Sequence, residues 1–493
     1  MDMYDILLAR NLGSGGGGTT NYNALSNKPE INGVPLQGNK SFGDLGLGTA
    51  AEKDYTNTVE DGSADLPTGD AVHDFVAAQV AYINNDIDDV QEQIDTIREI
   101  IQTELYGFKI DKQDSNPETR VSYMYDAVGK YPAGMDFVNG VFRYGGWADA
   151  WFIKGAKPCA LRPDGTVAYY LNPDNYTEKE DGTASDISDT ATDLNFMVEF
   201  PTVWIKRWED ARYQYVAISN KQIDDDFKAY AHDAGDGYIN EFIYYPMFLG
   251  YIDGAKMRSI AGETPSGMTT TTEEKEAAEA VGAGWQMWDW SKHMLITDLL
   301  TLISHSTNSQ TAFGYGATDT RDDTDTQTHG MLATGSDDLN TGQFYGYDDM
   351  LHHVKVFHIE DYWGNRYNRC LGLNRVDGYY MCKPVRPYST TPDSSYINVG
   401  EVPTTSGLFW IKNVSANEYG EFPASAGADA SATTYFCDLL NTGTPSTNSI
   451  AMIGGMCGDE ESSGSYQLHI SRSHTNALWF VGSSLCYNAA HTS

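Results

Sequence analysis

The sequence predicts an α+β protein in which an extended N-terminal leader and connector precede a coiled-coil stalk and one large C-terminal domain. Three observations predict it. The opening is glycine-rich and poor in apolar residues, a strict heptad follows, and the remainder carries short aromatic strands with two amphipathic helices. At 493 residues the chain is long enough for two or three units of roughly 150 residues each.

The first two segments come from composition. All ten tryptophans lie between Trp147 and Trp479, and all six cysteines also lie beyond residue 107. The start instead carries Gly13 and the run Gly15 to Gly18, followed by a sparse polar stretch. Such a stretch buries too little apolar area to offset chain entropy. We divide it into an attachment segment, 1–20, and a connector, 21–70.

The stalk, 71–105, rests on spacing. Val76, Val80, Ile83, Ile87, Val90, Ile94, Ile97 and Ile101 alternate by four and three, an a/d seam flanked by Asp86, Asp88, Asp89, Glu92, Asp95, Arg98 and Glu99. Isoleucine and valine at both a and d shift preference from dimers towards trimers, so a homotrimer is expected, with a rod roughly 40 Å long. The alternative is a single amphipathic helix lying on the large domain.

Beyond Tyr106 the strands expected are Phe196 to Phe200, Thr202 to Trp208, Tyr213 to Ile218, Val354 to Ile359, Gly407 to Lys412 and Trp479 to Tyr487. One helix is expected from Thr272 to Val281, with a threonine cap and acidic first turn. Another is expected from Ser291 to His305, with Leu295, Leu299, Leu302 and Ile303 on one face. Few helices among many strands give the α+β assignment.

Charge narrows the function. Thirty-two Lys and Arg against 69 Asp and Glu leave −37, a surface that repels nucleic-acid phosphates and anionic membranes. No apolar run approaches the ~20 residues of a spanning helix, and the N-terminus lacks a signal peptide's basic start. Synthesis in a cytoplasm is expected. The six cysteines form no CxxC pair and are read mostly as buried free thiols.

The connector, from Asn21-Tyr22-Asn23-Ala24-Leu25-Ser26-Asn27-Lys28-Pro29 through Asp44-Leu45-Gly46-Leu47-Gly48-Thr49 to Asp65-Leu66-Pro67-Thr68, resembles that of bacteriophage tail fibres. Residues 106–493 are similar to the C-type-lectin-like domains at fibre tips. These include retroelement-diversified receptor-binding proteins and, more remotely, the formylglycine-generating enzyme. The resemblance rests on His358-Ile359-Glu360-Asp361-Tyr362-Trp363-Gly364-Asn365, Arg258-Ser259-Ile260-Ala261-Gly262, Ile453-Gly454-Gly455 and the closing stretch Trp479 to Tyr487. It implies a non-catalytic adhesin on the virion, made in the host cytoplasm. The N-terminus would be docked on a tail or baseplate protein, and a ligand-contacting variable region at about 450–487 would bind a bacterial surface receptor, glycan or protein.

Met456 to Ala477 are nearly free of aliphatics, which agrees with that expectation. Adaptable hydrogen-bonding groups around rigid aromatics suit a binding surface. Met456, Asp459, Glu460, Tyr466, Gln467, His469, Ser471, Arg472, His474, Asn476 and Trp479 are therefore the receptor-contacting candidates. The bland alternative is a solvated loop that binds nothing.

Catalytic and metal signals are weak. His352, His353, His358, Glu360 and Asp361 lie close in sequence without HExxH spacing, and strand alternation sends Asp361 away from His358 and Glu360. Asp224 to Asp226 and Asp322 to Asp325 suit at most a loose calcium site, since an EF-hand reading from Asp323 meets Thr328 and Thr334 at its key positions. The calcium-lectin motifs Glu-Pro-Asn and Trp-Asn-Asp are absent, Cys457 and Cys486 do not match the oxidase pair, and Gly38-Asn39-Lys40-Ser41 is no P-loop. No cofactor and no catalytic residue are expected. The rival readings are a tail-associated polysaccharide depolymerase, whose β-helix repeats are missing, and a purely structural fibre segment.

Overall fold

The computed structural model describes residues 30–35, 40–41, 44–45, 76–85, 87–91, 103–319, 330–404, 407–443 and 448–490. The chain forms two compact units, Met1–Gln102 and Thr103–Ser493. In the first, Asn32 and Gly33 take φ of 52° and 76° and turn Glu30–Ile31 back onto Val34–Pro35, the left-handed pair that an Asn-Gly hairpin uses.

The expected fold class is overturned. The protein is mostly β, with a nearly closed sheet and short helices, and among the described residues there is no long trimeric coiled-coil stalk. Residues 76–85 and 87–91 are helical, but Val76, Val80, Ile83, Ile87 and Val90 stand between 38% and 59% exposed. The heptad thus makes a helix whose seam meets no partner helix among the described residues. Ile94, Ile97 and Ile101 lie outside them, as does the attachment segment.

Among the described residues three large sheets and three two-stranded ones build the second unit. The seven-stranded one runs Trp285–Met287, Leu485–Tyr487, Phe242–Pro246, Asn195–Pro201, Lys157–Leu161, Val167–Asn172 and Asn175–Lys179. A four-stranded sheet orders Trp204–Glu209, Tyr213–Ser219, Leu105–Asp111 and Val121–Tyr125, with Tyr213 opposite Asp111 and Ser219 opposite Leu105. The nine-stranded sheet runs from Ile397–Glu401 through Tyr379–Cys382, Tyr367–Val376, Ser449–Ile453, Leu468–Arg472 and Leu439–Asn441 to the hairpin Leu408–Asn417/Gly420–Gly427. Its two ends touch again at Ile397–Glu401 and Gly420–Gly427.

Every residue of the helix Trp290–Ser304 is buried, so it is a core element wrapped by sheets rather than a surface helix with one apolar face. Most of its polar groups are answered, Trp290 Nε1 and Asp298 Oδ1 being the exceptions. Asp289 caps it by accepting the Lys292 N–H at 3.1 Å, and Arg207 donates to Asp298 at 2.5 and 2.8 Å. The helix Thr271–Glu279 opens on a capping box between Thr270 and Glu273. All six cysteines are buried free thiols.

Two expected strands break. Val354 to Ile359 becomes Lys355–Val356 and Ile359–Glu360, because Phe357 and His358 adopt φ of 51° and 65° in the turn between them. The closing stretch divides into Val481–Gly482, parallel to Tyr367–Val376, and Leu485–Tyr487 in the seven-stranded sheet. It therefore stitches two sheets together.

Candidate functional site

Two segments of the expected variable region come together on one small apolar cluster. Met456, Leu478 and Phe480 all pack against buried Tyr367, Met452 and Val481. The 456–461 turn and the 473–480 loop thereby share a support, with Glu460, Arg472 and Thr475 exposed and Asp459, Ser471, His474, Asn476 and Trp479 half-buried.

The 473–480 loop is held by its backbone. Arg369 donates to the Asn476 carbonyl at 2.5 Å, and Arg366 donates to that of Trp479. The Met268 and Thr271 N–H groups reach the Leu478 and His474 carbonyls, each at 3.0 Å, and Tyr367 N–H reaches Phe480 at 3.1 Å. Arg369 is 1% exposed and also donates to the Thr269 carbonyl at 2.8 Å and the Glu274 carboxylate at 2.5 Å. Burial raises the Glu274 pKa, and the Arg369 charge works against that rise. Burial also lowers the Arg366 guanidinium to about 10. These arginines escaped the sequence reading. Two charged residues three apart at the head of an otherwise buried strand were the available signal.

Three candidates lie beneath the surface instead of on it. The Tyr466 ring meets Phe436 edge-on at 4.7 Å, its hydroxyl lies 3.0 Å from that of Thr301, and its N–H donates to buried Asp438 at 2.7 Å. Gln467 donates to Tyr367 and Asp459 at 3.1 and 3.0 Å. His469 sits 2.9 Å from the Asn441 amide, and burial, with Arg472 nearby, pushes its pKa down to about 3. Their polarity serves the interior.

Gly454 shapes the turn that enters this region. Its φ is 83°, and a Cβ would stand 2.6 Å from the Tyr362 carbonyl oxygen. Gly454→Ala is expected to cost about 2–4 kcal/mol, combining left-handed strain with a backbone clash. Urea unfolding checks this, and an unchanged midpoint would contradict it.

The acidic-histidine cluster also assembles, contrary to simple strand alternation. Buried His353, Glu360 and Asp361 bring ligand atoms within 4.8 Å of one another. His353 Nδ1 faces Asp361 at 2.9 Å, while Nε2 faces the Ser336 hydroxyl at 2.9 Å and the Ala333 carbonyl at 3.0 Å. Burial disfavours charge on this ring, but Asp361, Asp338 and Asp337 outweigh it and push its pKa up to about 9. Held this way, the ring belongs to a buried ion-pair network with Asp361. His358 is tied to the Tyr176 hydroxyl at 2.7 Å, and exposed His352 to Asp349. Asp224 and Asp226 close on Lys206 at 3.3 and 2.7 Å. Asp322 to Asp325 lie outside the described residues.

The chain matches no protein-family model and no curated protein sequence.

Proposed function

We propose that this chain is a receptor-binding protein of a bacteriophage tail fibre or tip, a non-catalytic adhesin. It grips a bacterial surface molecule through the loops between residues 456 and 480. The observation that carries this reading is the division of labour in the 473–480 loop. Its course is held by backbone carbonyls against buried arginines and by Asn476 Oδ1, which accepts the Ser473 N–H at 2.9 Å, so the side chains of His474, Thr475 and Trp479 can change without altering that support. A rigid platform bearing exchangeable side chains is what recognition of varying targets requires. The −37 charge argues for a target other than nucleic acid.

On this reading the protein is made in the host cytoplasm and carried on the virion. A tail or baseplate protein holds its N-terminal segment. Docking makes and breaks no covalent bond.

The test is binding of labelled protein to panels of intact bacteria, beside a variant carrying a related fibre's residues at the exposed or half-exposed positions 460, 472, 474, 475 and 479. The expected result is a changed set of bound hosts at unchanged melting temperature. Identical binding by the variant would move the contact surface elsewhere. Release of soluble sugar from host capsule would replace the adhesin with a depolymerase.

A further inference from the structure

A large concavity lies away from the 456–480 loops. It forms where the nearly closed sheet meets itself. The edge strand Trp204–Glu209, the end strand Ile397–Glu401 and the turn 416–419 of the last hairpin enclose a cleft of about 840 Å³. That is within the size range of small-ligand sites, sufficient for an oligosaccharide of a few residues.

Its lining is aromatic and hydrogen-bonding rather than aliphatic. Trp208 lines the cleft with Tyr215 stacked parallel behind it, at 5.0 Å and 5°. Tyr419 lines another part, backed by Tyr230 at 5.8 Å and 22°. Two rings fixed by a second ring offer rigid flat platforms, which lose little entropy on contact.

The polar groups are equally fixed. Tyr230 donates to Glu418 at 2.7 Å, and Glu209 accepts from Lys112 and Ser415, both at 3.0 Å. Lys206 is clasped by Asp224 and Asp226 at 3.3 and 2.7 Å, while Arg207 is committed to buried Asp298.

This chemistry selects the ligand class. The lining carboxylates of Glu209, Asp225, Asp226 and Glu418 face Lys206, Arg207 and Lys228, so an anionic ligand gains no net attraction. Val399 and Ala416 are the aliphatic lining residues, too few to make the apolar pockets a peptide side chain would fill. A neutral pyranose chain fits both features: its C–H faces lie on aromatic rings, and its hydroxyls donate to carboxylates and accept from ammonium groups.

We propose that the cleft lined by Trp208, Tyr419, Lys228, Asp225 and Glu418 is a binding site for a neutral hexose oligosaccharide. It is separate from the 456–480 loops and does not depend on their role.

The experiment uses the full chain with malto-, cello-, manno- and galacto-tetraoses and the tetramer of N-acetylglucosamine as probes. Titration calorimetry measures affinity, and hydrogen exchange maps the footprint. At least one probe is expected to bind and to slow exchange in residues 204–209 and 397–401. Trp208→Ala and Tyr419→Ala should each weaken it tenfold or more at unchanged melting temperature. If Trp208→Ala fails to fold, Trp208→Phe with Tyr419→Ala and the footprint still decide. Absence of binding by every probe at about 10 mM, an affinity of negligible strength, overturns the proposal. So does a footprint confined to 456–480. Neither outcome touches the host-binding test above, which reads different residues.

Discussion

Scanning calorimetry from pH 6.5 to 9 is expected to show a steady fall in melting temperature. Several buried groups set this slope: Glu360 and Asp438 are raised well above the ordinary carboxyl range chiefly by burial, and Glu421 and His353 join them. Burial, and then the charge of Asp298, push the Glu421 carboxyl up to about 8. His353 is held as an imidazolium up to about 9, because Asp361, Asp338 and Asp337 outweigh its burial. In the unfolded chain these groups titrate at about 4.3 and 6.5. Both folded values are raised, so each contribution is complete below the unfolded value and is lost as pH climbs through the folded one. From pH 6.5 to 8 both contributions decline together, each at no more than about 1.4 kcal/mol per unit.

Buried thiols extend the decline. Burial pushes Cys159, Cys370, Cys382, Cys437 and Cys486 up, so above about 8.5 the unfolded chain releases protons that the fold retains. Lys355, lowered by burial, acts against the trend. His232, His293 and His469, each pushed down to about 3 chiefly by burial, lose stability only as pH falls below about 6.5. The alkaline limb is therefore the one they leave unopposed. Glu421→Gln should flatten it between pH 6.5 and 8. A melting temperature that holds constant from 6.5 to 9 would sink this account.

What the sequence carried well was local. The helices Thr271–Glu279 and Trp290–Ser304 announce themselves by Thr270 with Glu273, by Asp289, and by leucines at helical spacing. Asn195–Pro201 and Tyr213–Ser219 alternate or run apolar as strands do. What it hid was pairing at long range. Leu105–Asp111 finds its partner more than a hundred residues away at Tyr213–Ser219, and no local pattern encodes that register. The heptad at 76–101 shows the same limit, since spacing specifies a helix but not the partner that would cover its seam.

Composition misled at the candidate site for a related reason. It measures polarity and says nothing of partners. Tyr466, Gln467 and His469 read as surface because they are polar, yet Asp438, Tyr367 and Asn441 satisfy them inside. Arg366 and Arg369 drew no reading at all, yet the 473–480 loop hangs on them. Composition therefore marked the stretch and left its depth unread.

The second large effect concerns that support. Arg369→Leu is expected to destabilise the protein by about 3–5 kcal/mol, because it strands the Glu274 carboxylate in an interior where its ion-pair partner has gone. Glu274 is 1% exposed and cannot turn to water. The same substitution frees the Asn476 carbonyl, so the 473–480 loop loses one of its fixed points. Stability and loop order are separable by the double variant Arg369→Leu/Glu274→Leu. Replacing both partners of a buried pair with apolar side chains is often close to neutral, so the double variant should regain most of the lost stability. The Asn476 carbonyl is still without its donor there, and exchange of the 473–480 amides and loss of bacterial binding should persist. Full recovery of binding along with stability would mean that the arginine serves only the fold and that the loop orders itself without it.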